Sequence, residues 1–496
     1  MANSPARWRI LAIFAVAVLF RLGWLLPVDG PGYLDASYQL LVAQQLAAGA
    51  GLTEPIIWHW LRLPAAVVHP SHDYWMPLAA LVAGAAMRLL GESWPAAVLP
   101  GLLVSALLAP LAAWLARERG ATSADEWVAA GLALVAGAWS AHWATTDPMT
   151  LFAPLAALAL IAIDGAGRRS VLLAGALAGL AQLARADGFL LLLTLLAVRL
   201  RRDPWAGALG AGAFVAVVGL WVVRNALTFG SPMPIGLATV WLTEYNDLFR
   251  PGGASPAAWW MRGAVPIFSE KAIALGLNLA VLALLGHVFL TPFGLVGLIA
   301  YRRLRPAPLL YLGFLLIFSS LVFTFPGAGG AFAHGLTAII PAFAAGTVLE
   351  VRRFADWLAA RRRLPRFQAR RRLAWIALAG AVVAGKGLGW QQLAEWQGWR
   401  GSLAAAAAAV ATQSPEAVVV AADPATYSVL SGQPAIVMPN LPPPEAFALA
   451  RRYGATIVVV GDAYPRAWSA WVAGEAPVAG ARVVGEAGGF RLVALD

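Results

Sequence analysis

The stretch Tyr74-Trp75-Met76-Pro77-Leu-Ala-Ala-Leu-Val-Ala-Gly-Ala-Ala-Met-Arg88-Leu-Leu-Gly91 decides how this chain is threaded. If it crosses a bilayer, the arginine clusters that follow fall on the side opposite Arg7 and Arg9. If it lies along the surface, they join those two residues. The clusters are Arg117/Arg119, Arg168/Arg169, Arg199/Arg201/Arg202, Arg302/Arg303/Arg305 and the run from Arg352 to Arg372. The surface reading puts 21 of the 34 arginines in short connections on one side, as the positive-inside bias requires. Tyr74, Trp75 and Arg88 near the ends of the stretch also suit an interfacial helix. We therefore read 74–91 as juxtamembrane.

A membrane setting follows from composition. The 496 residues are 60% hydrophobic and 12% charged, with mean hydropathy +0.71. Soluble proteins carry about twice that charge fraction, and a core cannot hide so much apolar surface. The net charge of +11 does not point to nucleic acid, because the arginines sit between apolar segments. The absence of cysteine excludes disulfides, thiolate zinc sites and cysteine nucleophiles. The N-terminus resembles a signal peptide but lacks a convincing cleavage site and reads as a first span.

Apolar runs fall at roughly 10–26, 95–116, 127–143, 148–163, 171–184, 188–198, 205–223, 280–300, 307–325, 336–349 and 373–389. These predict about eleven spans. The connections 27–94, 144–147, 185–187, 224–279 and 326–335, with everything after 389, then share the outer side. The expected division is a transmembrane unit over 1–400, with its outer loop 27–94, and an extracytoplasmic α/β region over 401–496. In the latter, Ala417–Asp423, Pro434–Pro439 and Thr456–Val460 read as strands, 481–484 and 490–495 as weaker ones, and Pro444–Tyr453 as a helix. Ala404–Ala409 reads as a helical connector. No dinucleotide or phosphate-loop pattern is present.

The polar residues collect in the outer connections. Asp35 is a carboxylate just past the first span, suited to a general base, to a metal or to capping a helix. Asp147, in Thr145-Thr146-Asp147-Pro148, has the same choice, since Asp-Pro often starts a helix. Arg185 and Asp187 interrupt apolar sequence from 171 to 198, as a functional pair or as a mutual ion pair in a turn. Arg224, with Asn225, ends a span on the outer side and is a candidate for an anionic head group. Arg62 and Arg88 are weaker candidates. His69, His72 and Asp73 form an acid/base or metal-type cluster, or simply brace the loop. His142 and His334 lie at outer span ends, within reach of the same cavity, and His287 reads as a polar residue inside the bundle.

Together these residues resemble the GT-C-fold membrane glycosyltransferases, the group that includes dolichyl-phosphate-mannose–protein mannosyltransferases and bacterial aminoarabinose transferases. Asp35 matches the early acid of the first outer loop, although relatives often have Asp-Glu where this chain has Asp35-Ala36. His69-Pro70, Met76-Pro77-Leu78 and the run to Gly91 match the region after it. Thr146-Asp147-Pro148 matches the second outer acid. Ala184-Arg185-Ala186-Asp187-Gly188 and Arg224-Asn225 with Gly230-Ser231-Pro232 recur in bacterial members.

The resemblance implies transfer of a sugar from a polyprenyl-phosphate donor to a glycan, lipid or protein acceptor at the outer face of the inner (plasma) membrane, with inversion. Asp35 and Asp147 would be catalytic, with Asp35 the base. His69, His72, Asp73, Arg185, Asp187 and Arg224 would bind donor phosphate or substrate. Some relatives hold a divalent metal, here on Asp35 and Asp147, and others do not. The competing reading is a polytopic transporter or lipid flippase, which predicts broken helices near the midplane and repeated halves. A third is a scaffold that presents the C-terminal region.

Overall fold

The computed structural model describes residues 5–200, 203–303 and 305–496, so Arg201 and Arg202 of the third arginine cluster lie outside the described residues. The chain is a polytopic helical membrane protein with a small C-terminal sheet.

The first helix, α1 (Pro5–Leu22), leads to α2 (Leu34–Ala47) and three two-residue strands, β1 (Thr53–Glu54), β2 (Ile56–Ile57) and β3 (His69–Pro70). Next comes α3 (Leu78–Leu90), the deciding stretch. Its 13 residues rise about 20 Å, too short for the hydrocarbon core of about 30 Å. Ala80 N donates to Gln39 Oε1 on α2 at 3.0 Å. After the helix, Trp94 Nε1 donates to Val28 O, just past α1, at 2.8 Å. Both ends of α3 therefore lie on one face of the bundle.

α4 (Trp94–Ser105) and α5 (Leu108–Glu118) form one long apolar passage. They are followed by α6 (Ser123–Val135), α7 (Met149–Asp164), α8 (Gly167–Ala184), α9 (Phe189–Arg199) and α10 (Pro204–Phe229). On the face opposite α3, Arg9 meets Glu126 at 2.9 Å, Arg352 meets Asp125 at 2.9 Å and Arg305 meets Glu118 at 2.6 Å. These pairs tie the arginine connections to the few acids beside them. Members of the clusters before and after α3 share one end of the bundle, as a surface helix requires.

The structure corrects two expected spans. The segment 127–143 is helical only to Val135, and 136–147 turns back as irregular chain. The segment 280–300 is not one helix. α11 (Pro256–Met261) precedes α12 (Ala264–Leu285), and α13 (Thr291–Ala300) follows a break at which His287 and Val288 take positive φ of 51° and 68°. The expected span runs across the break, and most of α12 falls in what was expected to be the connection 224–279, so that connection ends at Gly263. The ends of α6 and α12 meet inside the bundle, where Gly137 N donates to Leu285 O at 3.1 Å. Arg21 Nη1 donates to Leu134 O at 3.3 Å, and His287 Nε2 to Val135 O at 2.8 Å. Helix-end carbonyls away from water need such donors, so both residues have a structural role.

α14 (Ala307–Ile317) runs into a π-helical turn at Phe318–Val322, α15 (Thr324–Pro326), a second π-turn at Gly327–Ala331 and α16 (Phe332–Leu336). α17 (Ile340–Arg362) then returns to the arginine end. α18 (Arg366–Gln413) is a single helix of 48 residues, about 72 Å long. It runs well past the expected span at 373–389 and includes the Ala404–Ala409 connector.

The C-terminal strands fall where the alternation places them: β4 (Val418–Ala421), β5 (Ala435–Val437), β6 (Ala455–Val460), β7 (Ala481–Ala487) and β8 (Phe490–Leu495), with α19 (Pro424–Ser431) and α20 (Pro443–Arg452) between. The sheet order is β2-β5-β4-β6-β8-β7. Its edge strand β2 comes from the first loop and pairs in parallel with β5, Ile56 opposite Ala435. Tyr38, Ile56 and Trp58 share a core with Leu403, Val419 and Tyr427. The first loop and the C-terminal region are thus folded together.

Candidate active site

A cavity of about 470 Å³ opens on the face that carries α3. Its lining combines residues of the connections expected on the outer side, Asp35, the Arg185–Asp187 turn, Tyr245 and His334, with His142 and the first π-turn, which fall within expected spans. α18 adds Gln392 and Trp396.

Asp35 sits in the first turn of α2, and the cap position belongs to Tyr33. It makes no hydrogen bond among the described residues. Burial, and then Asp147, push its carboxyl up to about 7, against the pull of Arg185. Asp147 is fully buried. It accepts from Met149 N at 2.6 Å, starting α7, and from the Tyr33 hydroxyl. Burial pushes this carboxyl up, but His334, His142 and those hydrogen bonds outweigh it and hold Asp147 below the usual range. The two acids therefore differ: Asp147 is a fixed anion, and Asp35 is an unpaired carboxyl poised near neutrality. Such divergence marks acid/base chemistry.

Arg185 caps α8. Its Nε donates to Asp187 Oδ1 at 3.0 Å and its Nη1 to His334 Nδ1 at 2.9 Å. A guanidinium only donates, so His334 Nδ1 is the acceptor and the neutral ring carries its proton on Nε2. That nitrogen lies 3.9 Å from Asp147 Oδ2. Asp35, Asp147 and His334 offer ligand atoms within 4.8 Å of one another. The carboxylates suit a divalent ion, but with Nδ1 bound to Arg185 the protonated Nε2 does not.

The opposite wall is apolar. Phe318 comes from the first π-turn, a geometry frequent at functional sites, with Phe323 just after it and Pro326 at the end of α15. His142, which burial pushes down to about 3, stays neutral between Tyr33 and Trp396, with ring centroids 5.1 and 4.9 Å away. Trp396 lies against Gly32, where a Cβ would come within 2.1 Å of the indole. We expect Gly32→Ala to cost about 1–3 kcal/mol by overpacking and to lower the thermal unfolding midpoint. An unchanged midpoint would show that the indole is not held there.

The other candidates lie elsewhere. His69, His72, Asp73 and Arg224 are not among the cavity-lining residues. His69, His72 and Asp73 form a second polar cluster in the loop, and Arg224 belongs to α10. The Tyr38 hydroxyl donates to Glu54 and accepts from His72 N at 2.7 Å. His69 Nε2 lies 3.1 Å from Glu54 Oε1, and His59 Nε2 lies 3.1 Å from Asp73 Oδ1. Arg224 stacks on Trp221 and Phe229. These contacts brace the loop, while its Tyr74, Trp75 and Met76 reach the cavity. Sequence reasoning did not mark Tyr33, Gln392 or Trp396 as site residues. The run Gln391-Gln392 to Trp396 just past an apolar segment was the available signal. Tyr245 lies in the connection expected at 224–279.

No protein-family profile and no curated protein sequence matches the chain. Solved structures do. ArnT from Cupriavidus metallidurans bound to undecaprenyl phosphate aligns over 99% of both chains with TM-score 0.58 and 15% identity. Its apo state aligns over 99% of both with TM-score 0.56 and 16% identity. The archaeal oligosaccharyltransferase AglB from Archaeoglobus fulgidus, in complex with an inhibitory peptide and a dolichol-phosphate, aligns at TM-score 0.53 and 15% identity. That match covers 91% of this chain and 69% of AglB. In fold, the chain is a GT-C membrane protein.

Proposed function

We propose that this protein transfers a sugar from a polyprenyl-phosphate donor to an acceptor hydroxyl on a glycan, lipid or protein. The observation that carries the reading is the unpaired Asp35 carboxyl lining one cavity with the hydrogen-bonded Arg185–His334 pair. Asp35 takes the proton of the acceptor hydroxyl as its oxygen attacks the anomeric carbon. The bond from that carbon to the phosphate oxygen breaks on the opposite face, so the centre inverts. The charge released on the lipid phosphate meets Arg185 and the Nε2 proton of His334. Asp147, through Tyr33, holds the turn that bears Asp35. The aromatic wall suits the first prenyl units. The undecaprenyl phosphate and dolichol-phosphate in the ArnT and AglB structures support this donor class.

The arginine distribution supports a cytoplasmic N-terminus in the inner membrane, with the cavity and residues 401–496 extracytoplasmic. Transport is the weaker reading. The break between α12 and α13 is sealed by its hydrogen bonds, and the void beside it is about 10 Å³, room for one water at most.

The test is sugar transfer by purified protein from a polyprenyl-phosphate sugar, compared with Asp35→Asn. Equal turnover would refute the reading. Because Arg185 occupies the imidazole nitrogen that would free His334 as a ligand, a chelator is expected to change turnover by less than about twofold. Loss on chelation, with recovery on adding a divalent ion, would show that His334 turns to bind metal.

A further inference from the structure

α2 brings Asp35 to the cavity through its first turn, and that turn is held from three sides. Tyr33 binds Asp147. Thr146 Oγ1 donates to Ala36 O at 2.6 Å. Ser37 Oγ lies 2.7 Å from Thr426 Oγ1 on α19, in the C-terminal region. Asp423, which caps α19, accepts from Thr426 N at 3.0 Å and from the Thr426 hydroxyl at 2.6 Å. With that hydrogen committed to Asp423, Ser37 must be the donor to Thr426. Ser37 and Thr426 are both fully buried.

This chain of hydrogen bonds lies in the apolar seam of Tyr38, Leu41 and Tyr427. Apolar packing alone is tolerant of small rotations, whereas buried polar chains are directional. Residues two apart on a helix point about 200° apart. Ser37 therefore pins the back of α2 while Asp35 faces the cavity. A rotation of roughly 10° would move a carboxylate about 6 Å from the helix axis by about 1 Å, a displacement that costs catalysis heavily.

We infer that the C-terminal region is a positioning unit for the active site: the Asp423–Thr426–Ser37 chain sets the rotation of α2 that aims Asp35 at the acceptor hydroxyl. This rests on the proposed sugar transfer for its consequence but not for its geometry. The titratable groups around Asp35 are Tyr33 at the cap of α2, Asp147 from the α6–α7 connection, Arg185 from the end of α8, Tyr74 from the first loop, Tyr245 from the α10–α11 connection, His334 from α16 and Asp423 from the C-terminal region. A turn of α2 changes its distance to all of them.

Two readouts test this in the full chain. One is the pH midpoint of the protonated-carboxyl infrared band that Asp35→Asn removes. The other is kcat and KM with a polyprenyl-phosphate sugar. Thr426→Val and Ser37→Ala are each expected to lower the midpoint by about half a pH unit or more as Asp35 relaxes towards water. Each should also lower kcat by about tenfold with donor KM unchanged, and Thr426→Ser should restore both. Wild-type midpoint and kcat in Thr426→Val would overturn the inference. If that variant fails to fold, wild-type values in Ser37→Ala overturn it equally. Should the wild-type protein transfer no sugar, the proposed reaction fails while the infrared midpoint still decides the positioning role.

Discussion

Asparagine in place of Asp35 is expected to lower sugar transfer by about 10²–10⁴-fold, the range for loss of a positioned general base. The amide keeps the size of the side chain and loses only the proton acceptor, so the fold should survive. Wild-type turnover should have an acidic limb near pH 7, falling as Asp35 takes up its proton. That limb should be missing from the residual activity of the variant. Stability should move the other way. The carboxyl titrates higher in the folded protein than in the unfolded chain, so its stabilising contribution is full below about pH 4 and lost as pH rises to about 7. Asp35→Asn should therefore unfold at a higher temperature than wild type at pH 8, with little difference at pH 4. Reduced activity and reduced stability together at pH 8 would mean that Asp35 is structural.

Arg185→Gln should lower kcat by about 10²–10³-fold, as loss of a leaving-group donor in a dry site does. It also frees His334 Nδ1 and leaves Asp187 without the ion pair at 3.0 Å, so some loss of stability will accompany the effect. Arg185→Lys separates the two. A lysine keeps the charge but not the fork that reaches Asp187 and His334 together. It should retain the fold, and its kcat should fall between wild type and Arg185→Gln. Equal kcat in all three proteins would remove Arg185 from the reaction.

Much of the architecture was legible before folding, because membrane topology obeys one-dimensional rules. The arginine clusters, with Tyr74, Trp75 and Arg88 at the ends of the 74–91 segment, decided its placement, and the pairs of Arg9, Arg305 and Arg352 at one end of the bundle agree with that placement. The C-terminal strands were legible because buried strands are short apolar runs between turn residues. Asp35, Asp147, Arg185 and Asp187 stood out because charged groups are costly near lipid. What failed was local. The ends at Val135 and Leu285 were invisible because the carbonyls there are satisfied from far away in sequence, Leu134 O by Arg21, Val135 O by His287 and Leu285 O by Gly137 N.

The grouping of the polar residues also needed three dimensions. His69, His72 and Asp73 are as polar as Asp35 and close to it in the chain, yet Tyr38 and Glu54 draw His69 and His72 into a bracing network, and His59 pairs with Asp73. His334 and Trp396 enter the cavity from far along the chain. By itself, the sequence determined the membrane setting, the placement of the arginine connections at one end of the bundle and the acids worth testing, since hydrophobic length and charge placement act without long-range contacts. Only the tertiary structure decided which polar groups share a cavity. It also placed β2 in the C-terminal sheet and Thr426 behind Asp35, because such pairings depend on side chains that meet only once the helices have packed.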